Sequence, residues 1–250
     1  MNQALRELFK PALRLFSICA LAALVLGAVF ELTKDMILHN QQAEERQALQ
    51  RLTQDGEKLS ERLKVMPLAI GKAEFEEQLL PRISSDKARE LLHKYYLPEI
   101  DSYRLRTPLV VEDIQKLMQL FTELDFENRE PVRGCYLVKQ EQELIAYVLE
   151  VAGSGFGGEM KIFVVLTRDG KVRQAVLTQN RESPAQRKKA EAEGYMDKFI
   201  GRRGMSIPTI KSMLTQAEAD AVSGASVTFM GIAQAIRAAS LWVLAVEGNE

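Results

Sequence analysis

The sequence predicts an α+β protein: a single N-terminal transmembrane helix, a stalk helix, then an antiparallel sheet with packed helices. Three observations predict it. An uncharged apolar run, Leu15 to Phe30, lies near the amino terminus; short β-rich runs bounded by turn residues follow Pro131; and amphipathic or apolar helical segments flank those runs. Strands gathered in one block with helices beside them point to helices on one face of a meander rather than alternating βαβ units.

As a helix, Leu15 to Phe30 rises roughly 24 Å and spans a bilayer when the flanking charges snorkel toward the headgroups. Ahead of it stand Arg6, Lys10 and Arg14 against Glu7. That positive excess holds the amino terminus in the cytoplasm and exports the rest of the chain. Residues 1–34 therefore read as cytoplasmic terminus and anchor. A cleaved signal peptide is the competing reading, because Ala20-Leu21-Ala22 has the small-x-small form; both readings export the same domain. Residues 35–64 are polar and rich in helix formers, with Ile37, Ala43, Leu49, Leu52, Leu59 and Leu63 partly at helical spacing and Gly56 interrupting them. This is the stalk helix.

Residues 65–250 form the exported domain. Val65 to Ile83, with Pro67 and Pro81, reads as an irregular connection, and Ser84 to Leu97 and Val111 to Leu124 as amphipathic helices. Strands are expected at Cys135 to Val138, Leu144 to Val151, Met160 to Leu166 and Lys171 to Thr178, the last two joined by a hairpin at Asp169-Gly170. Helices are expected at Ala185 to Ile200 and Val227 to Val246. The latter is apolar enough to suggest a second span, but Arg237 in its middle favours a buried domain helix.

Composition narrows the function. Thirty-three Lys+Arg against 34 Asp+Glu give a net charge of -1, without the basic surplus of a nucleic-acid footprint. Cys19, His39, His93 and Cys135 are scattered singly, which suits neither a structural zinc site nor a disulfide framework.

The segment with chemistry runs from Asp220 to Thr228, Asp-Ala-Val-Ser-Gly-Ala-Ser-Val-Thr, where the last helix begins. Ser226 reads as an N-cap, and the unpaired N–H groups and positive dipole end beside it favour a phosphate. Gly224 and Ala225 remove side-chain bulk and leave the Ser226 hydroxyl open. Without further context this is also how a plain capped helix starts.

Asp220, two spacers and Ser223-Gly224-Ala225-Ser226 resemble the Asp-x-x-[Ser/Thr]-Gly-Ala-[Thr/Ser] pattern of FMN-binding domains, in which a flavin transferase links the FMN phosphate to the last hydroxyl. Further segments, in order, are similar to the G subunit of the Rnf electron-transport complex: Gly134-Cys135-Tyr136-Leu137-Val138, Tyr147-Val148-Leu149-Glu150, Gly155-Phe156-Gly157-Gly158, Asp169-Gly170-Lys171-Val172 and Met196-Asp197-Lys198-Phe199-Ile200-Gly201. The resemblance runs from the anchor to about Ala239. It implies covalent FMN on Ser226, with Asp220, Ser223, Gly224, Ala225, Thr228 and the segment Glu182-Ser183-Pro184 as the flavin site. One departure stands out: where the family usually reads Glu-Thr-Pro-Gly-Leu-Gly, this chain continues Glu182-Ser183-Pro184 with Ala185-Gln186-Arg187-Lys188-Lys189. The basic run reads as a solvated helix face, and Gly153 to Gly158 as a turn between strands.

The resemblance further implies a single-pass protein of the bacterial inner membrane with its domain in the periplasm. It would pass electrons between redox centres of neighbouring membrane subunits, coupled to Na+ or H+ movement, with no catalytic residue, metal or nucleic-acid partner of its own. Two rivals remain: the C subunit of the sodium-pumping NADH:quinone oxidoreductase, and a single-span sensor or assembly module without redox work.

Overall fold

The computed structural model describes residues 3–126 and 131–249, with side chains from residue 15 onward. Arg6, Glu7, Lys10 and Arg14, which set the expected orientation, lie outside the described side chains. The chain forms two compact units, Met1–Gln47 and Ala48–Glu250.

The first unit is most of helix α1, Gln3–Leu52. Every large apolar side chain from Leu15 to Phe30 is exposed on it, as a lipid-facing helix requires, and the helix is long and apolar enough to cross a membrane.

The second unit begins with the last turn of α1. The helix stops at Leu52, short of the stalk end expected near residue 64, because the chain then turns at Gly56 (φ +84°) and joins a sheet edge. Strand β1, Lys58–Leu59, pairs antiparallel with residues 138–139, and Leu63 bridges Cys135. The expected irregular connection holds strand β2, Ala69–Gly71, followed by a π-helical turn at Glu74–Leu79. Helix α2, Asp86–Tyr95, is capped by Ser85 and leads into strand β3, Tyr96–Pro98. Strand β4, Ser102–Leu105, lies between β2 and β3 in a small antiparallel sheet. Helix α3, Val111–Glu123, is tied to α2 through Asp113, which accepts hydrogen bonds from Lys94 Nζ and Tyr95 Oη, both at 2.7 Å.

The main sheet is completed by β5, Val132–Gln140, β6, Glu143–Ser154, β7, Glu159–Thr167, and β8, Val172–Gln179, in the order β1-β5-β6-β7-β8. All pairings are antiparallel. The β7–β8 turn is longer than the expected two residues: Thr167 N–H reaches the Lys171 carbonyl at 3.0 Å, closing a three-residue loop around Asp169-Gly170. Beyond the sheet the chain forms α4, Pro184–Ala190, three single 3₁₀ turns, α5, Gln216–Ala221, and α6, Ser226–Glu247. The helix expected to reach Ile200 ends at Ala190, since the chain reverses through Gly194 (φ +74°) and continues as a 3₁₀ turn at Asp197–Phe199.

Helix α6 packs on β6 and β7 and is mostly buried, as a domain helix. Phe229, Ile232, Ile236, Trp242 and Val243 seat it against Leu149, Val151, Ile162 and Val164 in the main core. On the sheet's other face Val138, Ala146, Val148, Phe163 and Val165 are buried together with Ala48 and Leu52.

Candidate functional site

Three segments converge on the start of α6. The first is the turn that precedes it. Helix α5 opens with a capping box, in which Thr215 Oγ1 accepts from Glu218 N–H and Glu218 Oε2 accepts from Thr215 N–H. After α5 the Ser223 N–H donates to the Asp220 carbonyl and the Ala225 N–H to the Val222 carbonyl, both at 3.1 Å. Gly224 between them sits at φ +79°, a left-handed conformation that glycine adopts without strain. Buried Val222 and Ala225 pin the turn from below. Ser223 and Gly224 are left exposed and Ser226 half-buried.

Ser226 is not the N-cap that the sequence suggested. Ala225 holds that position (φ -133°, ψ 35°) with no side-chain cap, and Ser226 is the first helical residue. The difference matters chemically. An N-cap serine spends its oxygen on an N–H of the first turn; here the first-turn N–H groups are given no side-chain acceptor, and the Ser226 oxygen is not consumed as a cap. The beginning of a 22-residue helix thus presents donors, a positive dipole end and a hydroxyl together.

The second segment is the strand-connecting loop 153–158. Its Ser154 lies directly under Gly231 of α6, where an added Cβ would overlap the Ser154 carbonyl. The third is the segment 180–190. Glu182, 7% exposed, accepts from the Gly157 N–H through Oε1 at 3.1 Å, while its Oε2 has no partner. Ser183 occupies the N-cap position of α4 and donates to Gln186 Oε1 at 2.8 Å; Pro184 is its first residue.

The expected site residues therefore separate into two groups. Asp220, Ser223, Gly224, Ala225 and Ser226 form one continuous turn, with Asp220 exposed and accepting from Gln216 Nε2 at 3.0 Å. Glu182 faces the 153–158 loop instead. Among the described hydrogen bonds, the link between the two groups is Lys189, whose Nζ donates to the Ser223 carbonyl. Thr228 is fully buried and its Oγ1 has no partner.

Beside this turn lies a cleft of about 470 Å³, lined by Lys189, Gly194, Tyr195, Lys198, Glu218 and Ala221 among others. The Lys198 Nζ stands 3.7 Å from the Tyr195 ring centroid and donates to the Tyr195 carbonyl. Burial pushes the Lys198 ammonium below its ordinary pKa and the Tyr195 hydroxyl above its own. The Tyr195 Oη is buried without a partner. Neither residue was singled out as a site residue from sequence; Lys198 lies in the segment Met196 to Gly201 that carried part of the resemblance, and Tyr195 just before it.

The donor set fits a phosphate. The uncapped first turn of α6 offers N–H donors, with the Ser226 hydroxyl beside them. Residues 155–240 match the family model described as FMN-binding domain. The chain is similar to the G subunit of a proton-translocating ferredoxin:NAD(+) oxidoreductase complex from Clostridium ljungdahlii, 23% identical over 118 residues, which cover 47% of this chain and 64% of the relative. The resemblance read from the sequence is borne out by both matches.

Proposed function

We propose that this chain is a membrane-anchored flavoprotein subunit of an Rnf-type ion-translocating oxidoreductase, with FMN attached as a phosphoester to Ser226. The observation that carries the reading is the uncapped first turn of α6, which follows a left-handed glycine turn and holds the Ser226 hydroxyl half-exposed. The match of residues 155–240 and the similarity to the clostridial oxidoreductase component support it.

FMN supplies electron transfer through its isoalloxazine ring. The residues of the chain bind and orient. Ser226 provides the ester oxygen, and the N–H groups of Val227 and Thr228 are the donors that a phosphate there would use. Gly224 adds no side-chain bulk beside the hydroxyl, and Glu182 braces the 153–158 loop beneath the helix. Redox partners are the other membrane subunits of the complex, so the reading asks for no substrate pocket in this chain. The anchor lies in the bacterial inner membrane with the amino terminus in the cytoplasm and the domain in the periplasm. There no free FMN pool can be counted on to refill an empty site by mass action, which favours covalent attachment.

The test is an intact mass of the membrane-extracted protein, with denaturing electrophoresis under ultraviolet light, from cells containing a flavin transferase. A fluorescent band and one FMN-phosphoester mass increment are expected for the native chain and for Ser226→Thr, and neither for Ser226→Ala. Fluorescence that survives in Ser226→Ala refutes the attachment site. A dark native chain refutes the flavoprotein reading.

A further inference from the structure

We propose that Lys189 is a positioning residue for flavin attachment, its ammonium fixing the acceptor turn and supplying the positive charge for the phosphate there. The proposal rests on the flavoprotein reading above and deepens it. The sequence departs from the family pattern just after Glu182-Ser183-Pro184, where Ala185-Gln186-Arg187-Lys188-Lys189 replaces small and apolar residues. The replaced segment folds as α4, and it delivers a cation to the turn 34 residues farther along the chain.

Of the three basic residues, Arg187 is engaged locally, with its Nε 2.9 Å from Glu191 Oε1 four residues on. Lys189 points the other way. Its Nζ donates to the Ser223 carbonyl, and a Cβ added at Gly224 would lie 3.1 Å from the same nitrogen. An ammonium carries three donors, and the Ser223 carbonyl takes one. The charge therefore sits on the backbone of Ser223-Gly224, two residues before Ser226. There it does two things. It holds in place a turn whose exposed residues have few side-chain contacts of their own, and it adds a full positive charge to the partial one of the α6 dipole. A lysine serves this role because its compact, rotatable ammonium can keep a backbone carbonyl and also face an anion.

The experiment uses the full chain in membranes, co-expressed with a flavin transferase, and follows covalent flavin fluorescence per protein over the first minutes of induction. Lys189→Met, Lys189→Arg and Lys188→Met are compared with the native chain, each with its thermal midpoint. Lys189→Met should label about tenfold more slowly, the scale of losing one charge-assisted hydrogen bond. Its midpoint should be unchanged, since the side chain is exposed. Lys189→Arg should restore most of the rate, and Lys188→Met should match the native chain. Native-rate labelling in Lys189→Met overturns the role of Lys189 while leaving the flavin assignment standing. Equal slowing in Lys189→Arg and Lys189→Met overturns the charge argument, and a dark native chain overturns both proposals.

Discussion

Gly231 sets two well-measured effects against each other. It lies in the second turn of α6, and on an exposed helix surface Gly→Ala stabilises by about 1 kcal/mol through backbone entropy. Gly231 is buried, however, and an alanine Cβ there would overlap the Ser154 carbonyl oxygen and stand 2.7 Å from its carbon. The approach is reciprocal, since a Cβ on Gly153 would lie 2.8 Å from the Gly231 carbonyl oxygen. Non-bonded carbons need about 3.5 Å, so helix and strand must part by about 1 Å. Both opposing atoms are backbone, which cannot rotate away as a side chain end can. Overpacking of this kind costs about 1–3 kcal/mol, and with backbone on both sides the upper figure applies. Set against the propensity gain, Gly231→Ala should lose about 2 kcal/mol, lowering the midpoint by about 4–8 °C for a domain of this size. The assay is thermal unfolding of the detergent-solubilised chain followed by circular dichroism. Gly27→Ala, where nothing lies within 4 Å of the added carbon, keeps the propensity gain without the clash and should not lower the midpoint. A Gly231→Ala midpoint equal to or above the native one would show that propensity wins and that the close packing of α6 on β6 is not as described.

Two further outcomes are expected. Asp113 is held at about 2, below the ordinary 3.8, chiefly by hydrogen bonds from Lys94 and Tyr95. A depressed carboxylate stabilises the fold above its unfolded pKa and loses that contribution as pH falls through the folded one. Asp113→Asn should therefore melt below the native chain at neutral pH, with the gap closing between about pH 4 and about pH 2; a gap independent of pH refutes the role of the charge. For topology, protease added to intact spheroplasts should digest the domain, because Arg6, Lys10 and Arg14 outweigh Glu7 ahead of the span. Digestion confined to inverted vesicles would reverse the orientation.

Strands β5 to β8 of the main sheet were legible because they are long and apolar and end in turn residues; β1, two residues long, was not. The small sheet was not. Ala69–Gly71 and Tyr96–Pro98 are three residues each and contain a glycine and a proline, so neither offers a period to read. Residues 185–200 erred the other way: a run of good helix formers outweighed the single Gly194, and local propensity does not report that buried Tyr195, Lys198 and Phe199 must turn back into the domain. In the candidate site, the turn from Asp220 to Ser226 was legible as a motif, but the helix after it begins one residue earlier than a serine cap implies. The reach of Lys189 to Ser223 depends on where α4 is placed, and no local pattern carries that.

The strands β6 and β7 carried a sign against helices on one face alone. Leu144 to Val151 and Met160 to Leu166 show little alternation, and near-continuous apolar runs belong to strands buried on both faces. One cover is α6. The other has to come from elsewhere, and it comes from the segment that follows the anchor: Ala48 and Leu52 close over Val148, Phe163 and Val165. The join is then locked by charge. Arg173 on β8 makes a paired contact to Glu57, at 2.6 and 2.8 Å, and its second terminal nitrogen also donates to the Leu52 carbonyl at the end of α1. Burial alone would raise the Glu57 carboxyl, but hydrogen bonds from Arg173 and the Gln54 backbone hold it below its ordinary value. The missing alternation in the strands was thus a sequence-level sign that part of the stalk belongs to the domain: a polar stalk standing clear of the sheet would have left Phe163 and its neighbours facing water.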